Sequence, residues 1–453
     1  MLTSINPNTG KPIADYPTPS DSEIDDALAS ATRAFSSWRQ TSFDDRAKLL
    51  QAVADQLRAQ KSELVELMAT EMGKAVKEGG PEVEKAAWCA EHYAEHAEDY
   101  LHREVLPSDA SVSYVNYQPL GTILGILPWN APVWLAFRFM APSLMAGNTC
   151  VMKHDPNVPG CAQALAKAFT SIGAPEGVMV HLPLETERVE KVIRDPRIAA
   201  VSFTGSSAAG RKVAAIAGSE LKRSVLELGG SDPLIVLDDA DLEKAADTAV
   251  LSRIINAGQS CIAAKRILVV KSRYNQFIDL LHARLNKLRV GDSLSPETDV
   301  GPIARADLRA NLHRQVSETI SAGAQCLLGG ELPGGSGFYY PVTLLTDVTA
   351  DMCAFREETF GPLMCVTQVA DMEQAITLAN QTDYGLGAAI WTADTELGER
   401  MAKRIDAGQV AINGIVKTDP RLPSGGVKIS GYGRELGPHG IREFVNAKQI
   451  WMK

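Results

Sequence analysis

The sequence lacks the features that would place it in a membrane or on a nucleic acid. No apolar run approaches the roughly 18 residues that a membrane span requires, and the polar N-terminal segment has no signal-peptide core. No dense block of Lys and Arg occurs, and the formal net charge is −10. An acidic balance without a basic patch argues against nucleic acid and anionic membrane surfaces as partners. The sequence therefore predicts a soluble cytoplasmic protein.

Cysteines are few, and none forms a recognisable pair. Seven occur in 453 residues, without a CxxC motif and without a His or Cys cluster of metal-ligand spacing. We therefore expect a reducing compartment and no bound metal. The composition is otherwise that of a globular protein, with 45% hydrophobic and 22% charged residues. A chain of this length is expected to form two or three domains.

Strand and helix signals alternate along most of the chain. Short apolar runs such as GTILGILP and IAAVSFTG alternate with helical stretches such as CAQALAKAFTSIG. This pattern predicts βαβ units around a buried parallel sheet, and a second alternation begins after Glu227. The expected fold class is α/β with two sheets and a boundary near residue 228. A segment around 105–120 alternates at period two near its end, which predicts an exposed hairpin strand.

Cys261 is a candidate nucleophile because of its position in a loop. The segment NAGQSCIAAKR follows a predicted helix over 241–256 and precedes the apolar strand KRILVV. A loop between regular elements can present a thiol to substrate. A nucleophilic thiol must become a thiolate, and we expect neighbouring N–H groups or positive charge to lower its pKa. No histidine motif offers a base, so a carboxylate is the expected partner; the alternative is an inert thiol.

Glu227 admits three interpretations. The strand AAVSF leads into TGSSAAG, where Gly205 and Gly210 open a helical stretch that could hold a phosphate. This is not the G-x-G-x-x-G fingerprint, so the signal is weak. Glu227 follows Gly205 by 22 residues, as a ribose-binding acid of a dinucleotide fold would. It could instead be a general base, or a salt-bridged carboxylate at a strand end.

Eight motifs in one order resemble the aldehyde dehydrogenase superfamily over essentially the whole chain. They are INPNTGKPIADYP (5–17), LPWNAP (127–132), FTGSSAAGRKV (203–213), LELGGSDP (226–233), GQSCIAAKR (258–266), EETFGP (357–362), DYGLGAAI (383–390) and GGVKISGYGRELG (425–437). Within the superfamily, PWNAPVW followed by an arginine and DPRLP at 419–423 resemble the short succinate-semialdehyde dehydrogenases.

The resemblance implies a domain plan. Residues 1–105 and 120–227 are expected to form a Rossmann-like NAD(P)-binding domain, and 228–428 a second α/β domain that carries the nucleophile. Residues 106–119 and 429–453 are expected to form a small bridging element. In the family this element is an oligomerisation surface, which implies a homodimer or homotetramer.

The resemblance also assigns the catalytic roles. Cys261 matches the nucleophile that attacks the aldehyde to form a thiohemiacetal. Asn130 matches the donor that, with the backbone N–H of Cys261, stabilises the oxyanion. Glu227 matches the general base that activates water to hydrolyse the later thioester, which favours the second of its three interpretations.

The implied cofactor is NAD or NADP. The matching positions are Trp129, Lys153, Gly205, Ser206, Glu358 and Phe360. Members that prefer NAD often carry an acid three residues after the lysine, where this chain has Pro156. The missing acid leaves room for the 2′-phosphate of NADP beside Lys153 and His154, so the choice between the two cofactors stays open.

The expected substrate is an aldehyde that carries a carboxylate. Asn130, Trp134 and Arg138 are spaced i, i+4, i+8 and would share one face of a continuous helix. Arg138, at the end far from the thiol, would then bind the carboxylate; alternatively it pairs with a neighbouring acid. The subgroup adds Ser260 and Thr418 to this pocket. Ser424, where the subgroup usually has an aromatic, leaves the pocket's shape open.

Succinate semialdehyde, oxidised to succinate, is the expected substrate. Glutarate semialdehyde and small aliphatic aldehydes are alternatives, since one methylene changes discrimination by only about 1–3 kcal/mol. A CoA-acylating enzyme is a further alternative, although Glu227 favours water as the acyl acceptor. A cofactor-independent thiol hydrolase and a catalytically silent structural relative are the competing classes, and the intact Cys261, Glu227 and Asn130 argue against the second.

Overall fold

A computed structural model describes residues 1–453. The first half contains β1 (Leu2–Asn6), β2 (Lys11–Tyr16), α1 (Asp21–Trp38), α2 (Phe43–Ala59), α3 (Lys61–Met72), α4 (Val76–Tyr100), β3 (Glu104–Val105), β4 (Val112–Pro119), β5 (Thr122–Leu127), α5 (Pro132–Met145), β6 (Thr149–His154), α6 (Pro159–Ser171), β7 (Met179–His181), α7 (Val189–Arg194), β8 (Ile198–Thr204), α8 (Ser207–Ser219) and β9 (Arg223–Glu227).

The second half contains β10 (Asp232–Val236), α9 (Leu242–Ile254), β11 (Ala264–Val270), α10 (Tyr274–Leu285), α11 (Ala306–Ser321), β12 (Gln325–Leu328), β13 (Thr343–Thr346), α12 (Cys353–Arg356), β14 (Leu363–Val369), α13 (Met372–Asn380), β15 (Gly387–Trp391), α14 (Thr395–Ala402), β16 (Gln409–Ile412), β17 (Gly431–Tyr432), α15 (Gly437–Arg442) and β18 (Val445–Met452). No helix in the structure combines the length and the apolar run that crossing a bilayer requires.

The first large sheet has six strands in the order β17-β9-β8-β5-β6-β7. Strands β5 to β9 run parallel, and β17 pairs antiparallel with β9. Every residue of β5 and β6 is buried, because helices cover both faces of such a sheet. The predicted βαβ units are therefore present.

The second large sheet has seven strands in the order β12-β13-β14-β11-β10-β15-β16. Only β12 runs antiparallel to its neighbour. The chain leaves the first sheet at Glu227 and enters the second at Asp232, on either side of the expected domain boundary. The α/β fold class with two sheets is confirmed.

A third, antiparallel sheet has the order β18-β4-β3. Strand β4 lies in the segment predicted to form an exposed hairpin, and it pairs along its whole length with β18 at the C-terminal end. One expected boundary needs correction. The bridging element was expected to include all of 429–453, but β17 within this range pairs with β9 of the first large sheet. Of the C-terminal strands, only β18 belongs to the small sheet.

The carboxyl ends of the first sheet's parallel strands bring distant residues to one edge. Asn130 follows β5, Lys153 lies near the end of β6, Gly205 follows β8, and Glu227 ends β9. These four strands are neighbours in the sheet. Ligands of parallel α/β sheets bind outside this edge, so the fold places the predicted catalytic and cofactor residues together.

Candidate active site

The loop that carries Cys261 has a constrained backbone. Asn256, Ala257 and Gly258 have φ values of 55°, 53° and 74°, a conformation that costs free energy for residues other than glycine. Lys265, whose side chain is 0% exposed, donates to the carbonyls of Ser260 at 2.8 Å and Cys261 at 2.7 Å. A buried ammonium therefore holds the backbone on which the thiol is mounted.

The surroundings of Cys261 differ from those expected. Burial raises the pKa of its thiol to about 12, and the charge of Glu227 raises it further, while Lys265 and Arg138 lower it. This direction is opposite to the expected lowering, because the desolvation of a thiolate outweighs the two nearby cations. A thiol with a raised pKa must lose its proton as it attacks.

Asn130 lies in the turn before α5 and is bonded to the nucleophile loop. Its Nδ2 donates to the carbonyl of Gln259 at 3.1 Å, two residues before Cys261. The backbone carbonyl of Asn130 accepts from Nδ2 of Asn256 at 2.7 Å and from Nζ of Lys74 at 3.2 Å. An amide nitrogen carries two protons, so one N–H of Asn130 is left for a developing oxyanion.

The prediction of one helical face through Asn130, Trp134 and Arg138 needs correction. Helix α5 begins at Pro132, and Ala131 at its N-cap is not helical. Only Trp134 and Arg138 lie on the helix. Asn130 precedes the helix because Pro132 favours an extended residue before it and fits the first helical turn itself.

Two buried residues hold the start of α5, and the sequence analysis did not find them. Oε1 of Glu82 accepts from the backbone N–H of Val133 at 2.9 Å and of Trp134 at 3.2 Å. Its other oxygen pairs with Lys74, and both side chains are 6% exposed. A carboxylate at a helix N-terminus is favourable. Glu82 thus fixes the helix that follows Asn130.

Glu227 is buried at the end of β9 beside two other charged groups. Its Oε2 lies 3.1 Å from a guanidinium nitrogen of Arg138, and the same nitrogen contacts Glu435. Burial raises the pKa of Glu227 to about 7; Arg138 opposes this rise and Glu435 adds to it. A carboxylate that titrates near neutrality suits a general base.

Arg138 is not the free cation that the sequence suggested. Its side chain is 2% exposed and pairs with Glu227 and Glu435. Pairing with a neighbouring acid is the alternative that the sequence left open. Arg138 also acts through its charge on the thiol of Cys261, so it does not lie at a remote end of the pocket. The expectation that Arg138 is a free cation is therefore corrected. That Arg138 contacts the substrate stays a prediction.

The phosphate and ribose end of the expected cofactor site lies around β6, β8 and α8. The Ser206 hydroxyl caps α8 by accepting from the N–H of Ala209 at 3.2 Å, and the Gly205 N–H donates to the Glu227 carbonyl at 3.0 Å. Lys153 is 4% exposed and has no ion-pair partner. A buried ammonium without an ion-pair partner and a helix N-terminus at the same sheet edge fit the ribose and phosphate groups of a dinucleotide.

His154 does not belong to this site. It is 3% exposed, and its Nε2 lies 2.9 Å from the carbonyl oxygen of Pro132. Burial lowers the pKa of His154 to about 3, so the ring is neutral. The idea that His154 helps to bind a 2′-phosphate is therefore wrong, and Lys153 is the cation at this position.

The expected nicotinamide end is formed by Glu358, Phe360 and Trp129. Oε1 of Glu358 accepts from the Gly230 N–H at 2.9 Å. A Cβ at Gly229 would lie 2.3 Å from Oε2 of Glu358, so a larger residue would displace this carboxylate. The rings of Trp129 and Phe360 meet edge to face with centroids 5.8 Å apart. An acceptor for ribose hydroxyls therefore lies close to aromatic surface that suits a nicotinamide ring.

Trp134 and Thr418, which are expected to contact the substrate, are joined by a side chain that the sequence analysis missed. Nζ of Lys85, on α4, donates to Oγ1 of Thr418 at 2.7 Å and lies 4.3 Å from the centroid of the Trp134 ring. A pattern could have indicated it. Glu82, Lys85 and Cys89 are spaced i, i+3, i+7 and so share one helical face, of which Glu82 and Cys89 are buried.

Comparison with known proteins agrees with this geometry. The aldehyde dehydrogenase family profile matches residues 1–450. The chain belongs to the aldehyde dehydrogenase family. It is 46% identical over 456 residues to the Mycobacterium tuberculosis protein named succinate-semialdehyde dehydrogenase (NADP(+)) 1, covering 100% of this chain and 99% of the relative.

Further relatives carry similar names. A Synechocystis protein named probable succinate-semialdehyde dehydrogenase (NADP(+)) is 46% identical over 451 residues, covering 100% of this chain and 99% of the relative. The crystal structure of succinic semialdehyde dehydrogenase from Streptococcus pyogenes in complex with NADP+ superposes with a TM-score of 0.97. It is 34% identical, and each chain is covered over 100% of its length.

Proposed function

We propose that the protein oxidises succinate semialdehyde to succinate with NADP as the hydride acceptor. The observation that carries the proposal is that Asn130 and Glu227, at one edge of the first sheet, both act on the Cys261 loop. Asn130 donates to the carbonyl of Gln259, two residues before the thiol, and the charge of Glu227 acts on the thiol itself. The names of full-length relatives at 46% identity support the substrate and the cofactor.

The first half of the reaction uses Cys261 and Asn130. The sulfur of Cys261 bonds to the aldehyde carbon and its proton passes to water, while negative charge develops on the carbonyl oxygen. The free N–H of Asn130 and the backbone N–H of Cys261 stabilise that charge. A nicotinamide cofactor held by Lys153, Glu358 and Phe360 would supply the redox chemistry, as the acceptor of a hydride from the aldehyde carbon. Cys261 then holds the acyl group as a thioester.

The second half uses Glu227. Its carboxylate takes a proton from a water molecule, whose oxygen attacks the thioester carbon. The carbon–sulfur bond breaks, the acid leaves, and the proton held by Glu227 returns to the Cys261 thiolate through water, which restores both groups. Arg138 keeps part of the Glu227 population ionised near neutral pH, because it opposes the rise in the pKa of Glu227. Water, rather than a second thiol, is therefore the proposed acyl acceptor.

NADP is proposed over NAD on the basis of the residues around β6. Lys153 is buried without an acid partner, and Pro156 cannot repel a 2′-phosphate. Gly205 and Ser206 would lie at the phosphates, Glu358 at the nicotinamide ribose, and Phe360 with Trp129 beside the ring.

We also propose that the small sheet is an oligomerisation surface and that the protein is a homodimer or homotetramer. Strand β18 pairs on one side only, and Trp451 and Met452 on it are 45% and 44% exposed. An open strand edge with exposed apolar side chains needs a cover. Sedimentation as a monomer at micromolar concentration would contradict this.

A cytoplasmic location is proposed because all seven cysteines are free.

The proposed function is tested by following NADPH and NADH formation with succinate semialdehyde, glutarate semialdehyde and propanal. We expect the two semialdehydes to outpace propanal and NADP to outpace NAD. Cys261→Ala should lower turnover of all three aldehydes by at least about 10⁴-fold, while Cys326→Ala, an exposed cysteine outside the site, serves as control. Equal rates for propanal would leave only the general aldehyde dehydrogenase activity.

A further inference from the structure

We propose that Lys85 binds the carboxylate of the substrate and thereby sets the preference of this site for acidic aldehydes. The inference rests on the proposed function, since it assumes an aldehyde with a carboxylate at its far end. It adds to the substrate pocket a second cation on a different helix, beside Arg138, whose contact with substrate stays a prediction.

The position of Lys85 is the first argument. Its ammonium lies between Thr418 and the ring of Trp134, at 2.7 Å from the hydroxyl and 4.3 Å from the ring centroid. Trp134 and Thr418 were assigned to the substrate pocket from the sequence, independently of Lys85. They come from α5 and from the irregular segment after β16, so Lys85 lies where these two walls meet.

The second argument is that Lys85 has no acid partner. No carboxylate oxygen lies within 4.0 Å of its Nζ, although Lys74 pairs with Glu82 and Arg138 with two carboxylates. An ammonium has three donors, and the hydrogen bond to Thr418 uses one. Two N–H groups therefore stay available to the two oxygens of a substrate carboxylate.

The third argument compares the charge around the two cations. Arg138 faces Glu227 and Glu435, so this cluster holds one cation and two carboxyl groups and offers no excess of positive charge. Burial lowers the pKa of Lys85 to about 8 and the charge of Arg138 lowers it further, while the charges of Cys89, Glu82 and Asp419 oppose this shift. A substrate carboxylate would relieve both effects, because an opposite charge favours the ammonium form.

The test replaces the charge of Lys85 while keeping most of its length. Lys85→Met should lower the ratio of kcat/KM for succinate semialdehyde to kcat/KM for propanal by about 10- to 100-fold, the worth of a hydrogen bond between charged groups. The loss should lie mainly in KM. Lys85→Arg, which restores a cation, should recover part of the ratio. The control is Lys48→Met, a lysine whose side chain is 76% exposed.

A binding measurement separates recognition from turnover. Titration of the enzyme with succinate by calorimetry should show binding to the wild type and to Lys48→Met, and a similar 10- to 100-fold weakening in Lys85→Met. Equal losses for both aldehydes with unchanged succinate binding would overturn the role of Lys85. A wild type that shows no preference for succinate semialdehyde over propanal would instead overturn the proposed function.

Discussion

The proposed cofactor side and the proposed substrate side of this site are built in different ways. On the cofactor side, Lys153, Gly205 and Ser206 lie at the ends of β6 and β8 in one parallel sheet. On the substrate side, Lys85, Trp134 and Thr418 come from α4, α5 and an irregular segment 333 residues away from Lys85. Local strand and turn patterns therefore fix the first side, and only long-range packing fixes the second.

The two sides share one feature of their cations. Lys153 and Lys85 both lack an acid partner, whereas Arg138 and Lys74 pair with carboxylates. An unpaired buried charge costs free energy, which a bound anion can offset. Lys153 and Lys85 therefore mark the proposed phosphate and carboxylate positions. Other buried cations without an acid partner, such as Arg253, donate to backbone carbonyls instead.

The largest expected effect lies between the two sides, at Glu227. Glu227→Gln should lower steady-state turnover of succinate semialdehyde by about 10²- to 10⁴-fold, because the thioester loses its general base. Affinity for NADP should stay within about twofold. Glu63→Gln, whose carboxylate forms an exposed pair with Lys167, is the control. A variant that loses NADP affinity instead would place Glu227 on the cofactor side, as its ribose-binding interpretation requires.

Removing the buried ion pair between Glu82 and Lys74 should lower turnover of every aldehyde and destabilise the fold. Glu82→Gln leaves the buried ammonium of Lys74 unpaired, and we expect the free energy of unfolding to fall by about 3–5 kcal/mol. The kcat values for propanal and succinate semialdehyde should fall in parallel, because the start of α5 is no longer held. Glu84→Gln, on the same helix but with a side chain 44% exposed, should cost about 1 kcal/mol or less. Urea unfolding and steady-state assays give these values.

The pH dependence of kcat should show whether Arg138 sets the pKa of Glu227. The pKa of Glu227 is raised to about 7, so its base form is lost as pH falls, and kcat should drop roughly tenfold per unit below that value. Arg138→Met removes a charge that lowers this pKa and should shift the acid limb toward higher pH by about one unit. Glu435→Gln should shift it the opposite way. Unmoved limbs in both variants would show that another group controls the profile.

A smaller change should affect the cofactor side alone. Pro156→Asp introduces the acid that this chain lacks, and repulsion of about 1.4 kcal/mol would raise the KM for NADP about tenfold. The KM for NAD and the ratio of succinate semialdehyde to propanal turnover should stay unchanged. Pro156→Asn, which is neutral, is the matched control. A parallel loss of aldehyde selectivity would break the separation between the two sides.

Most of the fold could be predicted from the sequence, and the motifs indicated the candidate reacting groups. The apolar runs of β5 and β8 alternate with helices, as expected. Cys261 is a candidate because of its loop position and the family motifs. These signals are local, so a short stretch of chain determines each of them. The contact between Asn130 and the Cys261 loop joins residues 129 apart in the chain, and no local pattern shows it.

The substrate side could not be predicted to the same degree. The pairing of Arg138 with Glu227 joins residues from α5 and β9, and no spacing reveals it. The same holds for the bond between Lys85 and Thr418. The raised pKa of Cys261 depends on burial by surrounding elements. Charge and solvation at this site are properties of the tertiary structure, whereas the motifs identify only the residue types.

The most direct test of the account is the first turnover of Glu227→Gln with succinate semialdehyde and NADP. The account predicts a rapid burst of about one NADPH per active site, followed by a stalled phase in which Cys261 carries a succinyl thioester detectable by intact mass. The first half of the reaction needs Cys261 and Asn130, and only the second needs the carboxylate. Absence of both the burst and the adduct, with NADP still bound, would contradict the proposal that only the second half of the reaction needs Glu227.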